Sequence, residues 1–303
     1  MNKKEWANIA CLLTAIIWGF GFIATASALE TFPFFTTLAL RFSGASLLYW
    51  MIFWFFKPSI SKKGLCYSVI SGFFLFMAFT LQTIGLKNSD AGTNAFLTSV
   101  NVVLVPYLMW MLFHKKPRGI QCLASFLCLA GILLMSCSEQ GLRFRNGDWF
   151  SLGCAFFFAF QIIANDKASK EADPIAVNAC QMSVAALLSI PCALMVDSWP
   201  EIVSIKAVLS MAYSILFATG VAYFLQTWAQ KYTDASSASL LLSTECLFAN
   251  FFAILVFHEV KRWTMYLGGG LIFVSILLVE AKGLRLSNPL KNLTLRDDFQ
   301  KWC

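Results

Sequence analysis

The sequence predicts an all-α integral membrane protein with ten transmembrane helices in two inverted five-helix repeats. Apolar runs of membrane-spanning length recur along the 303 residues, and one long stretch of the chain occurs twice. Hydrophobic residues make up 58% of the chain and charged residues only 13%, with a mean hydropathy of +0.69. Because a soluble protein typically carries about 25% charged residues, the composition favours a polytopic membrane protein.

The duplication is clearest where residues 81–134 align with residues 225–278 without a gap, at a constant spacing of 144 residues. Identical pairs in this alignment include Gln82 with Gln226, Lys87 with Lys231, Asp90 with Asp234, Leu97 with Leu241, Ser99 with Ser243 and Arg118 with Arg262. The pair Phe113-His114 also aligns with Phe257-His258. Shared leucines mean little in apolar segments, but the polar and Phe-His matches indicate an internal repeat.

Each repeat supplies five predicted spans. The ten spans are Trp6–Leu29, Pro33–Phe56, Gly64–Leu86, Ala91–Phe113, Arg118–Cys137, Trp149–Ala168, Pro174–Val196, Ile205–Ala229, Ala235–Phe257 and Thr264–Ala281. The first is longer than the apolar core of a signal peptide, and many spans follow it, so it is interpreted as a transmembrane helix. The connections are short, with Asp90 and Asp234 placed to cap the helices that follow them. The predicted domains are a first repeat at 1–137, a second at 148–282 and a polar tail at 283–303.

Basic residues predict the orientation in the membrane. With the N-terminus in the cytoplasm, cytoplasmic loops and termini hold 16 Lys and Arg residues and the external loops hold six. The external six are Lys87, Arg143, Arg145, Lys206, Lys261 and Arg262, and Arg41 lies within a span. This bias places both termini in the cytoplasm. Since five is an odd number of spans, the second repeat is inverted, which is typical of secondary transporters.

Several short motifs resemble one family of transporters. They are Trp18-Gly19 in the first span, Arg41-Phe42 in the second, Asn94-Ala95-Phe96-Leu97-Thr98 and Val105-Pro106 in the fourth, Leu242-Ser243-Thr244-Glu245 in the ninth, and Glu259 after it. Over nearly all ten spans the chain resembles the drug/metabolite transporter superfamily, in particular its EamA-like members. The resemblance implies transport of a metabolite, and known members carry amino acids, nucleosides, nucleotide sugars or drugs. The chain departs from the pattern at Cys246, where the family usually has proline. It also lacks a second tryptophan, because Gln161 falls near the position of the second repeat that corresponds to Trp18.

Two ionisable residues within spans are candidates for substrate binding or ion coupling. Arg41 lies about a third of the way along its span, and Glu245 lies halfway along the ninth span. A charge at the bilayer centre costs about 2.5–3.5 kcal/mol on translocon scales, so each residue needs a partner, water or a function. Arg41 is also compatible with a snorkelling anchor and Glu245 with a permanent structural partner. Arg41 is the natural counter-ion for Glu245, although sequence alone does not place them in contact.

Uncharged polar and aromatic side chains within the spans form a second group of candidates. The predicted substrate-binding or coupling set adds Trp18, Gln82, Asn94, Thr98, Asn101, Gln161, Asn165, Gln181, Gln226 and Trp228 to Arg41 and Glu245. Lipid-facing amides are costly, so these residues are expected to face the bundle interior or a water-filled cavity. Each amide or hydroxyl alone fits a hydrogen bond between helices better than a ligand contact, but as a group they indicate a polar path. Further aromatic candidates for lining a pocket are Tyr107, Phe160 and Tyr223.

Together these features predict a secondary active transporter, an exporter or exchanger, of a small metabolite or amino-acid-like solute across the cell membrane. The alternative is a passive channel or a non-transporting membrane sensor. An intramembrane enzyme is disfavoured because the spans contain no histidine and only one deep carboxylate. The sequence has no phosphate-binding Gly-rich loop followed by Lys-Ser/Thr, which disfavours ATP as the driving force. The scattered cysteines predict no metal or cofactor site. The expected partners are a small-molecule substrate, the lipid bilayer and protons as candidate coupling ions, without nucleic acid.

Overall fold

A computed structural model describes residues 2–89, 91–136, 146–257 and 263–285. Several predicted features therefore lie outside the described residues. They are the cap at Asp90, the loop residues Arg143, Arg145, Lys261 and Arg262, the motif residue Glu259, and all but the first residues of the predicted tail.

The described chain is helical almost throughout. The helices in order are α1 (Lys3–Leu29), α2 (Phe34–Phe56), α3 (Lys62–Lys87), α4 (Ala91–Thr98), α5 (Asn101–Phe113), α6 (Gly119–Ser136), α7 (Asn146–Glu171), α8 (Pro174–Val196), α9 (Ile205–Tyr213), α10 (Ala222–Gln230), α11 (Ala235–Leu242), α12 (Glu245–Phe257) and α13 (Trp263–Arg285). A π-helical segment, Ser214–Val221, joins α9 to α10. Asp234 accepts a hydrogen bond from the Ser237 backbone N–H at 3.0 Å and caps α11 as predicted.

The helices coincide with the ten predicted spans. Eight segments of the described chain are long and apolar enough to cross a membrane, and the shorter apolar helices Gly119–Leu134 and Tyr266–Ser275 occupy the fifth and tenth predicted spans. Large apolar side chains are exposed on the outside of the bundle; Phe55, for example, is 73% exposed and Leu194 80% exposed. Such a surface suits contact with lipid, so the chain is a multi-pass membrane protein.

Three spans depart from the single regular helices that apolar periodicity suggested: the eighth contains the π-helical segment, and the fourth and ninth are each broken. The fourth span divides into α4 and α5 at Ser99–Val100, and the ninth divides into α11 and α12 at Ser243–Thr244. The Ser99 hydroxyl donates to the Ala95 carbonyl at 2.8 Å and the Ser243 hydroxyl to the Leu240 carbonyl at 2.7 Å. Hydroxyls of this kind compete with the backbone ladder. The ninth span is therefore interrupted although Cys246 replaces the proline that the family usually has.

The packing of the helices follows the inverted repeat. In each case a helix of one repeat lies against a helix of the other: α3 packs against α7, α2 against α8, α6 against α13, and α1 against α10 and α12. Shifting α3 and α7 by one repeat gives the α10–α1 pair, whereas α2–α8 and α6–α13 map onto themselves. These relations define a pseudo-two-fold axis through the middle of the bundle.

The fourth and ninth spans cross on this axis. Helix α4 packs against α12, and α5 packs against α11. The hydroxyl of Ser99 donates to the Ser243 carbonyl at 3.3 Å, so two residues related by the 144-residue repeat touch each other. Small residues permit this approach, as Ala95 and Ser239 are fully buried in the same stripes. Small residues of the two spans therefore form a contact within one chain.

Candidate functional site

A cavity lies beside the two helix breaks, between α1, α2, α3, α7 and α10. This central cavity is lined by Trp18, Gly21, Phe22, Thr25, Arg41, Phe79, Gln82, Leu86, Thr98, Asn101, Phe158, Gln161, Ile162, Ala218, Tyr223, Gln226, Leu242 and Glu245. Eight of the twelve predicted site residues are among them: Trp18, Arg41, Gln82, Thr98, Asn101, Gln161, Gln226 and Glu245. The cavity therefore combines a predominantly aromatic and aliphatic wall with a few polar groups, as small-molecule sites do.

Most polar lining residues occur as pairs related by the repeat. At a spacing of 144 residues the pairs are Phe79 with Tyr223, Gln82 with Gln226, Thr98 with Leu242 and Asn101 with Glu245. A cavity lined by both members of such pairs lies on the pseudo-two-fold axis. This is the position at which transporters built from inverted repeats hold their substrate.

The rest of the lining breaks this symmetry. Leu86 lines the cavity one residue before the end of α3, whereas its repeat mate Gln230 is fully buried and donates to the Ile162 carbonyl at 2.9 Å. Arg41 lines the cavity, whereas Gln181, at the same distance from the start of α8, is fully buried away from it. The cavity thus extends toward the face where α3 ends, called here the α3–α4 face. It does not extend in the same way toward the opposite, α10–α11 face.

Arg41 is 4% exposed and is held by one side chain of the π-helical segment and one of α3. Its Nε donates to the Thr219 hydroxyl at 2.6 Å, and its guanidinium carbon lies 4.2 Å from the centre of the Phe79 ring. Such a cation–π contact offsets part of the cost of burying the charge. Within the described part of the chain, no salt bridge joins Arg41 to Glu245. The two opposite charges share one cavity without forming an ion pair.

Thr219 belongs to the π-helical segment Ser214–Val221, which receives several side chains of the first repeat. The Trp18 indole N–H donates to the Ala218 carbonyl at 2.8 Å, and the Tyr49 hydroxyl donates to the Gly220 carbonyl. π-Helical turns leave backbone carbonyls open to such donors and recur at functional sites. The segment thereby fixes the orientation of Trp18 and Arg41 at the cavity wall.

Glu245 is the first residue of α12, directly after the break in the ninth span. Its side chain is 6% exposed, and the described residues provide its carboxylate with neither a hydrogen bond nor an ion pair. A carboxylate in the first turn is favoured by the helix dipole. That interaction only partly compensates a charge at this depth, so the carboxylate is available to a ligand that enters the cavity.

Two amides beside Glu245 are also unsatisfied. Both the oxygen and the nitrogen of the Gln226 side chain are buried without a hydrogen-bond partner, as is the side-chain oxygen of Asn101. The repeat mate of Gln226 is in a different position, because the Gln82 amide donates to the Thr98 hydroxyl at 3.3 Å. An unsatisfied buried polar group costs about 1–3 kcal/mol. Unsatisfied groups that face one cavity therefore indicate a place where water or a ligand completes their hydrogen bonds.

The other four predicted site residues lie outside the cavity lining. Asn94 donates to the Ser151 hydroxyl at 2.7 Å and joins α4 to α7, and Trp228 packs against Tyr232 with ring centres 5.2 Å apart. Asn165 belongs to a buried hydrogen-bonded cluster, described next. Gln181 accepts from the Ser71 hydroxyl at 2.8 Å and donates to Asn178 of that cluster. Of the other aromatic candidates, Tyr223 lines the cavity, whereas Tyr107 and Phe160 do not.

A buried polar cluster closes the space between the cavity and the α10–α11 face. The Asn178 amide donates to the Thr227 hydroxyl at 3.2 Å and to the Tyr223 carbonyl at 3.3 Å, which joins α8 to α10. Asn165 of α7 accepts from the Thr227 hydroxyl at 3.2 Å and donates to Gln230 at 2.6 Å. These four residues, Asn165, Asn178, Thr227 and Gln230, are called the inner cluster.

Sequence reasoning missed the lining residues Phe79 and Phe158. It also missed Thr219, which accepts a hydrogen bond from Arg41. Phenylalanine is so abundant in this chain, with 30 copies, that its presence in a span carries no signal. The repeat contained one usable clue, because Phe79 is the mate of Tyr223, which was a candidate. Nothing in the sequence marked Thr219 as the hydrogen-bond acceptor for Arg41.

The fold and the cavity define a class, that of polytopic membrane transporters built from two inverted repeats. Comparison with known proteins agrees, since the model of the EamA-like transporter family matches residues 5–137 and 145–281. The chain belongs to the EamA-like transporter family.

Relatives of the chain extend this result. It is 30% identical over 284 residues to an uncharacterised transporter of Archaeoglobus fulgidus, covering 92% of this chain and 87% of that protein. A second uncharacterised transporter of that organism is 26% identical, covering 93% of this chain and 99% of the relative. A solved crystal structure with 16% identity superposes with a TM-score of 0.74, covering 93% of this chain and 98% of the other, which shows the shared fold.

Proposed function

We propose that this protein is a secondary active transporter, an exporter or exchanger, that moves a small metabolite or amino-acid-like solute across the cell membrane by alternating access. The observation that carries the proposal is the central cavity on the pseudo-two-fold axis, which is lined by repeat-related pairs yet extends toward one face only. In an inverted-repeat transporter, exchanging the conformations of the two repeats exposes the same central residues to the other side.

The positions of Leu86 and Gln230 support this mechanism. In the present conformation Leu86 lines the cavity, while its mate Gln230 is sealed within the inner cluster. When the repeats exchange conformations, Gln230 becomes a lining residue and Leu86 leaves the lining. With both termini in the cytoplasm, as the basic residues favour, the α3–α4 face is external, and the present conformation is open toward the outside.

The charges of the cavity support an amino-acid-like solute. Arg41 and Glu245 line one cavity without neutralising each other, so a solute with both an anionic and a cationic group can contact both. The aromatic walls, including Trp18 and Tyr223 with ring centres 5.1 Å apart, suit an apolar body between those groups. Glu245 is also the proposed site of proton coupling, because a proton and a cationic solute compete for one carboxylate.

Counterflow in proteoliposomes tests the proposal. Vesicles containing the purified protein are loaded with a millimolar mixture of unlabelled amino acids and diluted into a trace amount of the same mixture carrying a radiolabel, with protein-free vesicles as the control. A carrier gives a transient accumulation of label above equilibrium that saturates with substrate. Uptake that neither saturates nor overshoots indicates a channel. If the amino-acid mixture is not taken up, and vesicles loaded with nucleosides instead show the overshoot, the amino-acid-like assignment is contradicted.

A further inference from the structure

We propose that the deep end of the central cavity is a subsite for a primary ammonium group, formed by the carboxylate of Glu245 and the side-chain oxygens of Asn101 and Gln226. The proposal rests on the function proposed above and specifies which part of the solute this end of the cavity binds. Ammonium here means a group with three N–H donors, as on a primary amine or an α-amino acid.

The three residues share two properties. Each lines the cavity and is at least 94% buried. The side-chain oxygens of Asn101 and Gln226 have no hydrogen-bond partner, and within the described residues no hydrogen bond or salt bridge engages the Glu245 carboxylate. Asn101 and Glu245 are repeat mates at the starts of α5 and α12, and Gln226 is on α10, one turn after Tyr223. The three acceptors therefore come from three helices that line one cavity.

The chemistry of this set matches a primary ammonium. A lone carboxylate at the bilayer centre is costly, and a cationic ligand removes that cost. One ionic and two neutral acceptors can take up the three N–H donors, and the bond to the carboxylate is strengthened by charge. An anion is disfavoured at this end because it would meet Glu245. Arg41, the residue proposed to contact the anionic group of the solute, is held by Thr219 and Phe79 and is not part of this subsite.

A metal cation is the competing ligand for three oxygens. Hard cations prefer six or more oxygen ligands, and the neighbouring wall consists of Trp18, Phe158 and Tyr223. Aromatic side chains instead suit an organic cation with an apolar body. The geometry therefore favours an amine, and sodium remains a defined outcome of the test.

A probe series with one carbon skeleton tests the subsite on the unsubstituted, full-length protein in detergent. The probes are 2-phenylethylamine, its N,N,N-trimethyl derivative and 3-phenylpropionate, with binding followed by the fluorescence of the tryptophans. The amine is expected to bind at least tenfold more tightly than the trimethyl compound, which has the same charge but no N–H donor. It is also expected to bind at least tenfold more tightly than the carboxylate. Equal binding of both cations overturns the proposal, as does sodium-dependent stabilisation without amine binding.

Variants then assign the acceptors. Glu245→Gln is expected to weaken 2-phenylethylamine binding at least tenfold, and Gln226→Leu and Asn101→Leu about three- to tenfold each. Glu30→Gln removes a carboxylate that is exposed and paired with Lys206 at 3.0 Å, and it is expected to change binding less than twofold. Unchanged binding in the Glu245 and Gln226 variants overturns the assignment. If a variant fails to fold, the probe series on the unsubstituted protein still decides.

The proposed subsite and the proposed transport function can be refuted separately. Amine binding without counterflow of any tested solute supports the subsite and contradicts the proposed transport. Counterflow of a solute that lacks an amine, together with no binding of 2-phenylethylamine, supports transport and overturns the subsite.

Discussion

Asn178 is the residue whose replacement most directly tests whether the inner cluster holds the α10–α11 face closed. Its amide makes both of the α8-to-α10 hydrogen bonds in that cluster, to the Tyr223 carbonyl and the Thr227 hydroxyl. Its counterpart in the first repeat is Leu38, since each lies four residues after the start of its helix. Asn178→Leu therefore places at this position of α8 the same side chain that the first repeat has at the equivalent position of α2.

The size of the effect follows from the hydrogen bonds that are lost. Hydrogen bonds between membrane helices contribute about 0.6 kcal/mol each on average. Losing two costs the closed inner face about 1.2 kcal/mol. At about 1.4 kcal/mol per tenfold change, the ratio of inward-open to outward-open molecules should rise roughly eightfold.

Spin-label distance measurements can detect this shift in a cysteine-depleted background. One pair of labels at the exposed residues Lys170 and Lys231 reports the separation of α7 and α10 at the inner face. A second pair at Glu30 and Lys87 reports the corresponding separation at the outer face. Asn178→Leu should raise the ratio of long-distance to short-distance populations of the inner pair about eightfold and lower that ratio for the outer pair.

Ser183→Ala is the matched control on the same helix. Ser183 also makes two hydrogen bonds between helices, with the Ser46 hydroxyl at 2.9 Å and the Trp50 indole N–H at 2.8 Å, but it joins α8 to α2. That interface maps onto itself under the repeat, so its weakening should favour neither conformation. Equal distance distributions in the two variants, or an unchanged inner pair in Asn178→Leu, would refute the role of the inner cluster.

Three further predictions follow from particular contacts. Arg41→Ala should reduce counterflow at least tenfold while leaving the amount of inserted protein unchanged, because the Arg41 side chain lines the cavity. Normal counterflow would show that Arg41 has only a structural role. A β-carbon at Gly19 would lie 2.5 Å from a side-chain carbon of α12, so Gly19→Ala should lower stability by about 1–3 kcal/mol in thermal unfolding. Gly270→Ala, which meets nothing within 4 Å, is its control. Membrane-impermeant maleimide applied from outside should label cysteine at Lys206 but not at Lys116, and the reverse would invert the proposed topology.

The sequence predicts the span architecture of this protein well because two strong signals coincide. Length and apolarity mark each span independently, and the repeat relates the two halves at a fixed spacing. The breaks at Ser99 and Ser243 were not predicted, since neither proline nor glycine marks them. Serine inside an apolar run is equally compatible with a continuous helix, and the competing hydroxyl bonds become visible only in three dimensions.

The candidate site was predicted in part for a related reason. Glu245, Gln226 and Asn101 were candidates because a polar group in an apolar span needs a partner or a cavity. The same reasoning selected Asn165 and Gln181, whose partners prove to be other buried side chains. Sequence establishes that the amide must be satisfied, but the neighbouring helix decides whether a protein group satisfies it. That helix is fixed by long-range packing, which periodicity does not encode.

The differences between the repeats explain how a nearly symmetric scaffold acquires a chemically directional site. Gln82 and Gln226 are identical in sequence, yet the first has Thr98 as an acceptor, whereas Leu242 occupies the matching position beside the second. The substitution of leucine for threonine at that position leaves the Gln226 amide without a partner. Opposite it, Asn101 and Glu245 differ by one charge at equivalent helix starts. The exchange of conformations requires the two halves to be alike, while recognition requires them to differ. In this chain two such differences, Thr98 against Leu242 and Asn101 against Glu245, lie beside the two breaks, in the lining of the central cavity.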